Sequence, residues 1–324
     1  MRYVARGLAL FAILISGTYV GSQSTSGQGT ASLPYLQLST PKRVLPDAQA
    51  WEGDQFPHTM SVLDLKTGGF HYWGWYGLDN GRGIGLARSN DLVHWSKYEG
   101  NPLWTNARWP SALAKADPEN RDLLYFAITR DYDAPSSYIV LATSRDGIHL
   151  KEEKTLVKPV PNERNQNPNL FRDPLSGRFY LTFYRGNDRD HFEIVSKSAA
   201  KIGDLDRAPE KVLLTDTATI AAPTLLYVKR AVDARGKKGG NYYLATEIYP
   251  HRYSDDREAE WQVKVFASDS ANGDFQPVSG NPVMAGQRAC LFQHIFNHRF
   301  YGYDCHLQDA NTWVLEEVEA DLPH

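Results

Sequence analysis

Sustained helical periodicity is missing from this chain of 324 residues: no window repeats apolar residues at three- and four-residue steps for long enough to build a packed helix. That excludes a doubly wound α/β fold. Excess positive charge is missing too. With 35 Lys and Arg against 38 Asp and Glu the net charge is −3, so no basic field holds nucleic acid and no charge run marks a membrane-binding patch. Phosphate loops, dinucleotide fingerprints and Gly-x-Ser-x-Gly elbows are absent, which argues against a nucleotide cofactor and against serine-hydrolase chemistry. The glycines of GRGIG, 81–85, read as a turn between strands. Cysteine is nearly absent, and its two copies, Cys290 and Cys305, fall within ACLFQHIFNHRFYGYDC. A hairpin turning at Asn297-His298 sets them opposite each other. A disulfide and a free thiol pair both remain open there. The two histidines of QHIFNH, His294 and His298, fall on opposite sides of that turn, so they do not form a helical zinc-binding pair.

What is present is aromatic and polar. Eight Trp, 18 Tyr and 13 Phe suit strands and stacking against sugar faces, although core packing accounts for most such rings. Residues 1–20 place Arg2 and Arg6 ahead of an apolar run, which reads as a secretory signal or an N-terminal anchor. No cysteine follows it, so a lipoprotein is excluded. Residues 21–32, GSQSTSGQGTAS, have the composition of a flexible linker, and the folded domain is expected over 33–324. The expected location is therefore periplasmic or extracellular, with the anchor either cleaved or retained.

The sequence also repeats. LARSNDLVHWSKYEGNPLW at 86–104 and LATSRDGIHLKEEKTLVKP at 141–159 share a strand, a Ser-x-Asp turn and a second strand, and FASDSANGDFQPVSGNPVM at 266–284 is a weaker copy. Ser and Asp suit such a turn because their side chains bond its backbone. Paired alternating runs precede the copies at HTMSVLDLKTGGFHYWGWYG, SALAKADPENRDLLYFAIT, NPNLFRDPLSGRFYLTFYRG, APTLLYVKRAVDARGKKGGNYYLATEIY and CLFQHIFNHRFYGYDCHL. Five hairpins about 55 residues apart imply four strands per unit and five units, an all-β, five-bladed β-propeller. A strand within 33–46 is expected to complete the last blade.

This pattern of hairpin followed by SNDLVHW resembles the five-bladed propellers of glycoside hydrolase family 43 and its relatives in family 32, the arabinanases, xylosidases, invertases and levansucrases. The resemblance covers roughly 50–320. It implies a mechanism in which two carboxyl groups flank a glycosidic bond, one protonating the leaving oxygen and one activating water. The family's base, its tuning Asp and its acid would fall at Thr59 in HTMSV, Asn167 in NPNLF and Ala221 in AAPTL. None of these side chains transfers protons near neutral pH. Some relatives hold a central calcium ion, which this sequence alone does not reveal.

Other acids ring the expected mouth: Glu52, Asp54, Asp131, Asp133, Glu163, Asp188, Asp190, Glu247 and Asp304. By position, Asp54 and Glu247 are the candidate catalytic pair, with Asp131 as a third carboxylate. His58, Trp109, Asn167, Arg185, His294 and Asp304 are the candidate sugar contacts. No metal ligand set and no cofactor is expected. The expected partner is a poly- or oligosaccharide, bound by a monomer. Three readings follow: a divergent glycoside hydrolase, a glycan-binding propeller without turnover, and a structural or partner-binding propeller of the cell envelope.

Overall fold

The run FHYWGWYGL is apolar on successive residues because the strand it forms, Phe70–Leu78, is covered on both faces, and from Tyr72 to Leu78 every residue is buried. Strands of this kind assemble, in a computed structural model of the chain, into five antiparallel sheets. The chain divides into residues 1–32 and a compact unit from Leu33 to His324. The described residues all belong to the second unit: 35–45, 48–53, 57–78, 83–132, 134–187, 191–216, 218–230, 239–250, 260–309 and 312–322. The expected signal and linker lie outside them, as do Asp54, Asp133, Asp188 and Asp190.

Each sheet is one blade, and in blades 1 to 4 the inner strand is the first in sequence. The inner strands are Pro57–Thr67, Ala107–Leu113, Arg164–Arg172, Thr219–Arg230 and Arg288–Phe296. Blade 5 is completed from the other end of the chain. Lys42–Arg43 pairs with Thr312–Asp321, setting Lys42 opposite Glu317 and Arg43 opposite Glu316, so the expected closing strand is present. Because it ties one end of the domain to the other, the ring is closed by backbone hydrogen bonds.

Five apolar clusters fill the five interfaces between blades. Trp73, Trp75, Leu86, Phe126 and Val140 join blades 1 and 2. Leu141, Leu170, Phe183 and Val195 join blades 2 and 3, and Tyr184, Ile194, Ile220 and Leu244 join blades 3 and 4. Tyr243, Val265, Leu291 and Phe300 join blades 4 and 5. Met60, Trp95, Phe292, Tyr303 and Leu315 join blades 5 and 1. Burying one such side chain contributes about 1.5 to 3 kcal/mol, so the interfaces dominate the fold's stability.

The Ser-x-Asp repeat performs one job twice. Asp91 Oδ1 accepts from the Val93 and His94 amides at 2.9 and 2.8 Å, while Asp91 Oδ2 meets His94 Nδ1 at 2.7 Å. Asp146 makes the same bonds to Ile148, His149 and the His149 ring at 2.9, 2.8 and 2.6 Å. The Gly-Asn-Pro triplets at 100–102 and 280–282 also act alike. The Asn101 amide pairs with both backbone groups of Leu86, and the Asn281 amide with both of Val265.

Candidate functional site at the inner strands

Every inner strand carries a bulge near its start. The register slips at Pro57/Thr59, Arg108/Ser111, Gln166/Asn169, Ala221/Thr224 and Ala289/Phe292. A bulge leaves backbone unpaired and re-aims a side chain, which suits a site built around a channel. Four bulge residues have left-handed backbone: Trp109 (φ 59°), Asn167 (54°), Ala222 (50°) and Cys290 (57°). Pro110, Pro168 and Pro223 follow three of them, and proline fits there because it has no N–H to leave unsatisfied.

Where pairing resumes after the bulge in blades 2 to 4, and two residues after Thr59 in blade 1, a side chain ties one inner strand to another. Ser61 Oγ accepts from the Ala112 amide at 3.0 Å, Ser111 Oγ from Leu170 at 2.8 Å and Asn169 Oδ1 from Leu225 at 2.9 Å. Thr224 Oγ1 donates to the Leu291 carbonyl. The Val62 amide donates to His294 Nε2 at 3.4 Å and closes the ring from blade 1 to blade 5. All five links are polar bonds inside an apolar wall, and they hold the bulges in place.

Around this ring, blades 1, 4 and 5 bring four unusual groups together. Cys290 Sγ lies 3.4 Å from His58 Nδ1 and 3.6 Å from His58 Nε2. It donates to Glu247 Oε2 at 2.9 Å and stands 3.0 Å from Cys305 Sγ. Both cysteines are free thiols. The register sets Ala289, not Cys290, opposite Cys305, because the bulge adds a residue on the Cys290 side, yet the re-aimed side chain still meets its partner. Burial, then Cys305 and Glu247, push the Cys290 thiol well above its ordinary range, so it is neutral at pH 7. Arg108 approaches His58 Nδ1 at 3.0 Å and lies over the Tyr132 ring at 3.9 Å. Trp109 and Trp313 meet His58 edge-on at centroid distances of 5.8 and 5.2 Å.

The candidate residues separate against this geometry. His58 and Glu247 belong to the cluster, and Glu247 is the cross-strand partner of Ala221, where the family's acid would stand. Trp109 is fully buried against Phe292, so it is a core residue and not a sugar-stacking platform. His294 is inside an interblade seam, stacked against Phe292 and Phe296; its burial lowers its pKa to about 4 and keeps the ring neutral. Asn167 is buried, and its amide donates to Thr129 Oγ1 at 3.2 Å. Arg185 is held by Glu163, Glu210 and Asn165 in an ion-pair network on blade 3. Asp304 is enclosed beside Arg288, and burial, with Glu316 adding to it, raises its pKa well above the usual carboxylate range. Asp131 accepts from Asn106 at 2.8 Å, away from the cluster. Glu52 is committed to structure, bonding Tyr76, the Gln49 amide and Lys97, each at 2.7 Å. Cys290, Cys305 and Arg108 were not among the candidates. The signal for them was the register of the last hairpin and the RWP triplet beside Trp109.

The five blades define a β-propeller of the kind found in family-43 glycoside hydrolases. Among solved structures, the chain is similar to a thermostable family-43 glycoside hydrolase, with a TM-score of 0.59 and 15% identity over 82% of this chain and 89% of that one. It is similar to an α-L-arabinanase of Cellvibrio cellulosa in complex with arabinohexaose, with a TM-score of 0.57 and 13% identity over 82% and 92%. It is also similar to an N-acetylgalactosamine deacetylase of F. plautii in complex with blood group B trisaccharide, with a TM-score of 0.58 and 12% identity over 89% and 94%. At these identities the likeness shows a shared fold. No protein-family model and no curated protein matches the sequence.

Proposed function

We propose that the chain is an exported, monomeric propeller that binds a poly- or oligosaccharide at the inner-strand bulges without hydrolysing it through paired carboxylates. The observation that carries this reading is the state of the family's three catalytic posts. Thr59, Asn167 and Ala221 are buried and without acid, and the carboxylate opposite one of them, Glu247, is engaged by a thiol. Two carboxyl groups are needed to protonate a leaving oxygen and activate water across one bond. Support for a saccharide comes from the two similar structures that hold one. Support for export comes from the basic and apolar residues 1–20.

One observation favours a second reading, hydrolysis with displaced acids. Glu247 is one strand away from the usual acid position, and Asp54, four residues before His58, could supply the second carboxyl. The test is the purified domain, 33–324, against arabinose-, xylose-, fructose- and galactose-containing glycans, with binding and release of reducing ends recorded together. Binding without release sustains the first reading. Release that disappears in Glu247→Gln or Asp54→Asn replaces it with the second, and neither binding nor release leaves a partner-binding envelope propeller.

A further inference from the structure

Both cysteines of the chain, a histidine from blade 1 and a glutamate from blade 4 converge on one buried point. The ligand atoms of His58, Cys290 and Cys305 all lie within 4.8 Å of one another. Their elements are independent: the inner strand of blade 1, the second strand of blade 4, and the first two strands of blade 5. From this juxtaposition we propose a thiolate-rich site for a divalent zinc-like cation, with His58, Cys290 and Cys305 as ligands and Glu247, bonded to Cys290, beside them. The inference rests on geometry and donor chemistry, and it is independent of the carbohydrate reading.

The donor set selects the class of metal. Two sulfurs and one imidazole suit zinc and its first-row analogues, whereas calcium and magnesium require shells of oxygen. Tetrahedral zinc, with sulfur at about 2.3 Å and nitrogen at about 2.0 Å, separates its ligand atoms by roughly 3.5 to 3.8 Å. The Cys290 sulfur already stands 3.4 and 3.6 Å from the two nitrogens of His58. Its contact to Cys305 at 3.0 Å is a hydrogen-bond distance, and replacing that bond by a cation requires it to open by less than about 1 Å.

Charge and shielding agree with the assignment. Two thiolates and one carboxylate carry three negative charges, which a divalent cation and the Arg108 guanidinium balance. Arg108 donates to His58 Nδ1, which places the ring proton on Nε2 and makes Nδ1 the ligand atom; a cation bound there replaces that bond, and the stack over Tyr132 keeps the guanidinium beside the site. Trp109 and Trp313 wall the imidazole on its edges. Binding is balanced as one divalent cation exchanging for two thiol protons, with no electron transferred. Because both cysteines are fully buried, the cation enters as the blades close during folding.

The test is metal content and cobalt spectroscopy on domain 33–324, isolated under reducing conditions from zinc-supplemented cells. The expected result is one equivalent of zinc, and, after exchange into cobalt, a thiolate-to-cobalt charge-transfer band. Cys290→Ser and Cys305→Ser should each weaken the band and the double variant should abolish it, and His58→Gln should weaken cobalt affinity at least tenfold. The surface variant His94→Ala should change neither. Circular dichroism establishes that each variant is folded, and His58→Gln serves if a cysteine variant is not. Zinc below one equivalent with both thiols reduced, or a band that survives in the double serine variant, overturns the proposal. So does a disulfide between Cys290 and Cys305 in the protein as exported.

Discussion

Glu317 gives a direct electrical reading of how tightly blade 5 is closed. It sits on the third strand of that blade, opposite Tyr303 on one side and Lys42 of the closing strand on the other, and it is buried. Burial raises its pKa from 4.5 to about 7; Glu319 and Asp91 add to the rise, while the Tyr303 hydroxyl and Lys42 oppose it. A folded-state pKa above the unfolded one means that the folded protein holds the proton more tightly. Its contribution is therefore harmless below about pH 4.5, becomes increasingly destabilising up to about pH 7, and is fully destabilising above that. Raising the pKa from 4.5 to about 7 corresponds to about 3 kcal/mol at the alkaline limit. Glu317→Gln keeps the shape and an acceptor for Tyr303 but removes the charge. Thermal melts of the two proteins should coincide near pH 5 and separate by roughly 5 °C in favour of the variant near pH 8. Parallel melting profiles across that range would refute the burial argument, and a less stable variant at high pH would show that the charge is used by Lys42.

The remaining predictions concern the fold's polar links. Glu52→Ala should cost about 3 to 5 kcal/mol in urea unfolding because it removes the carboxylate 2.7 Å from Lys97, whose side chain is 4% exposed, and Glu52→Gln with Lys97→Met should recover part of that loss. Asn169→Ala leaves the buried Leu225 amide without its acceptor, and a loss of about 1 to 3 kcal/mol by chemical denaturation is expected. Asp91→Ala and Asp146→Ala should each shift the urea midpoint by a similar small amount, because the two turns make the same bonds. Bonds from His94 hold the Asp91 carboxyl below the usual range, and bonds from His149 outweigh burial to do the same for Asp146. Each turn's contribution is thus present above about pH 4 and is lost as acid protonates the carboxylate, so wild type and variants should converge in acid.

Much of the fold was legible because it depends on local chemistry that sequence displays directly. Ser-x-Asp marks a turn through bonds made within four residues. The closing strand was legible from topology, since a propeller with an unpaired last edge would expose it. The site was legible only in part, because position along a strand does not report which neighbour has already claimed a side chain. Glu52, Arg185 and His294 all sit where a channel group could sit, and all are engaged by partners. The partners of Glu52 include a lysine 45 residues away, and that of His294 is an amide 232 residues away. No local pattern announces such pairs.

The bulges explain how a propeller can keep its channel while changing the channel's chemistry. Closure of the ring rests on Ser61, Ser111, Asn169 and Thr224, with His294 at the final seam, and each reaches across an interblade boundary. Ser111, Asn169 and Thr224 sit two residues beyond a left-handed bulge residue, and Ser61 sits two beyond Thr59. Closure and chemistry therefore occupy different residues of the same strand. A position at φ near 55° demands only a backbone that tolerates the left-handed region, and Trp109, Asn167, Ala222 and Cys290 all adopt it here. Exchanging the residue at such a position leaves the interblade bonds intact, because none of the bonds from Ser61, Ser111, Asn169 or Thr224 uses its side chain. That separation lets two thiols, an imidazole and a carboxylate gather beside the bulges without disturbing the interblade bonds.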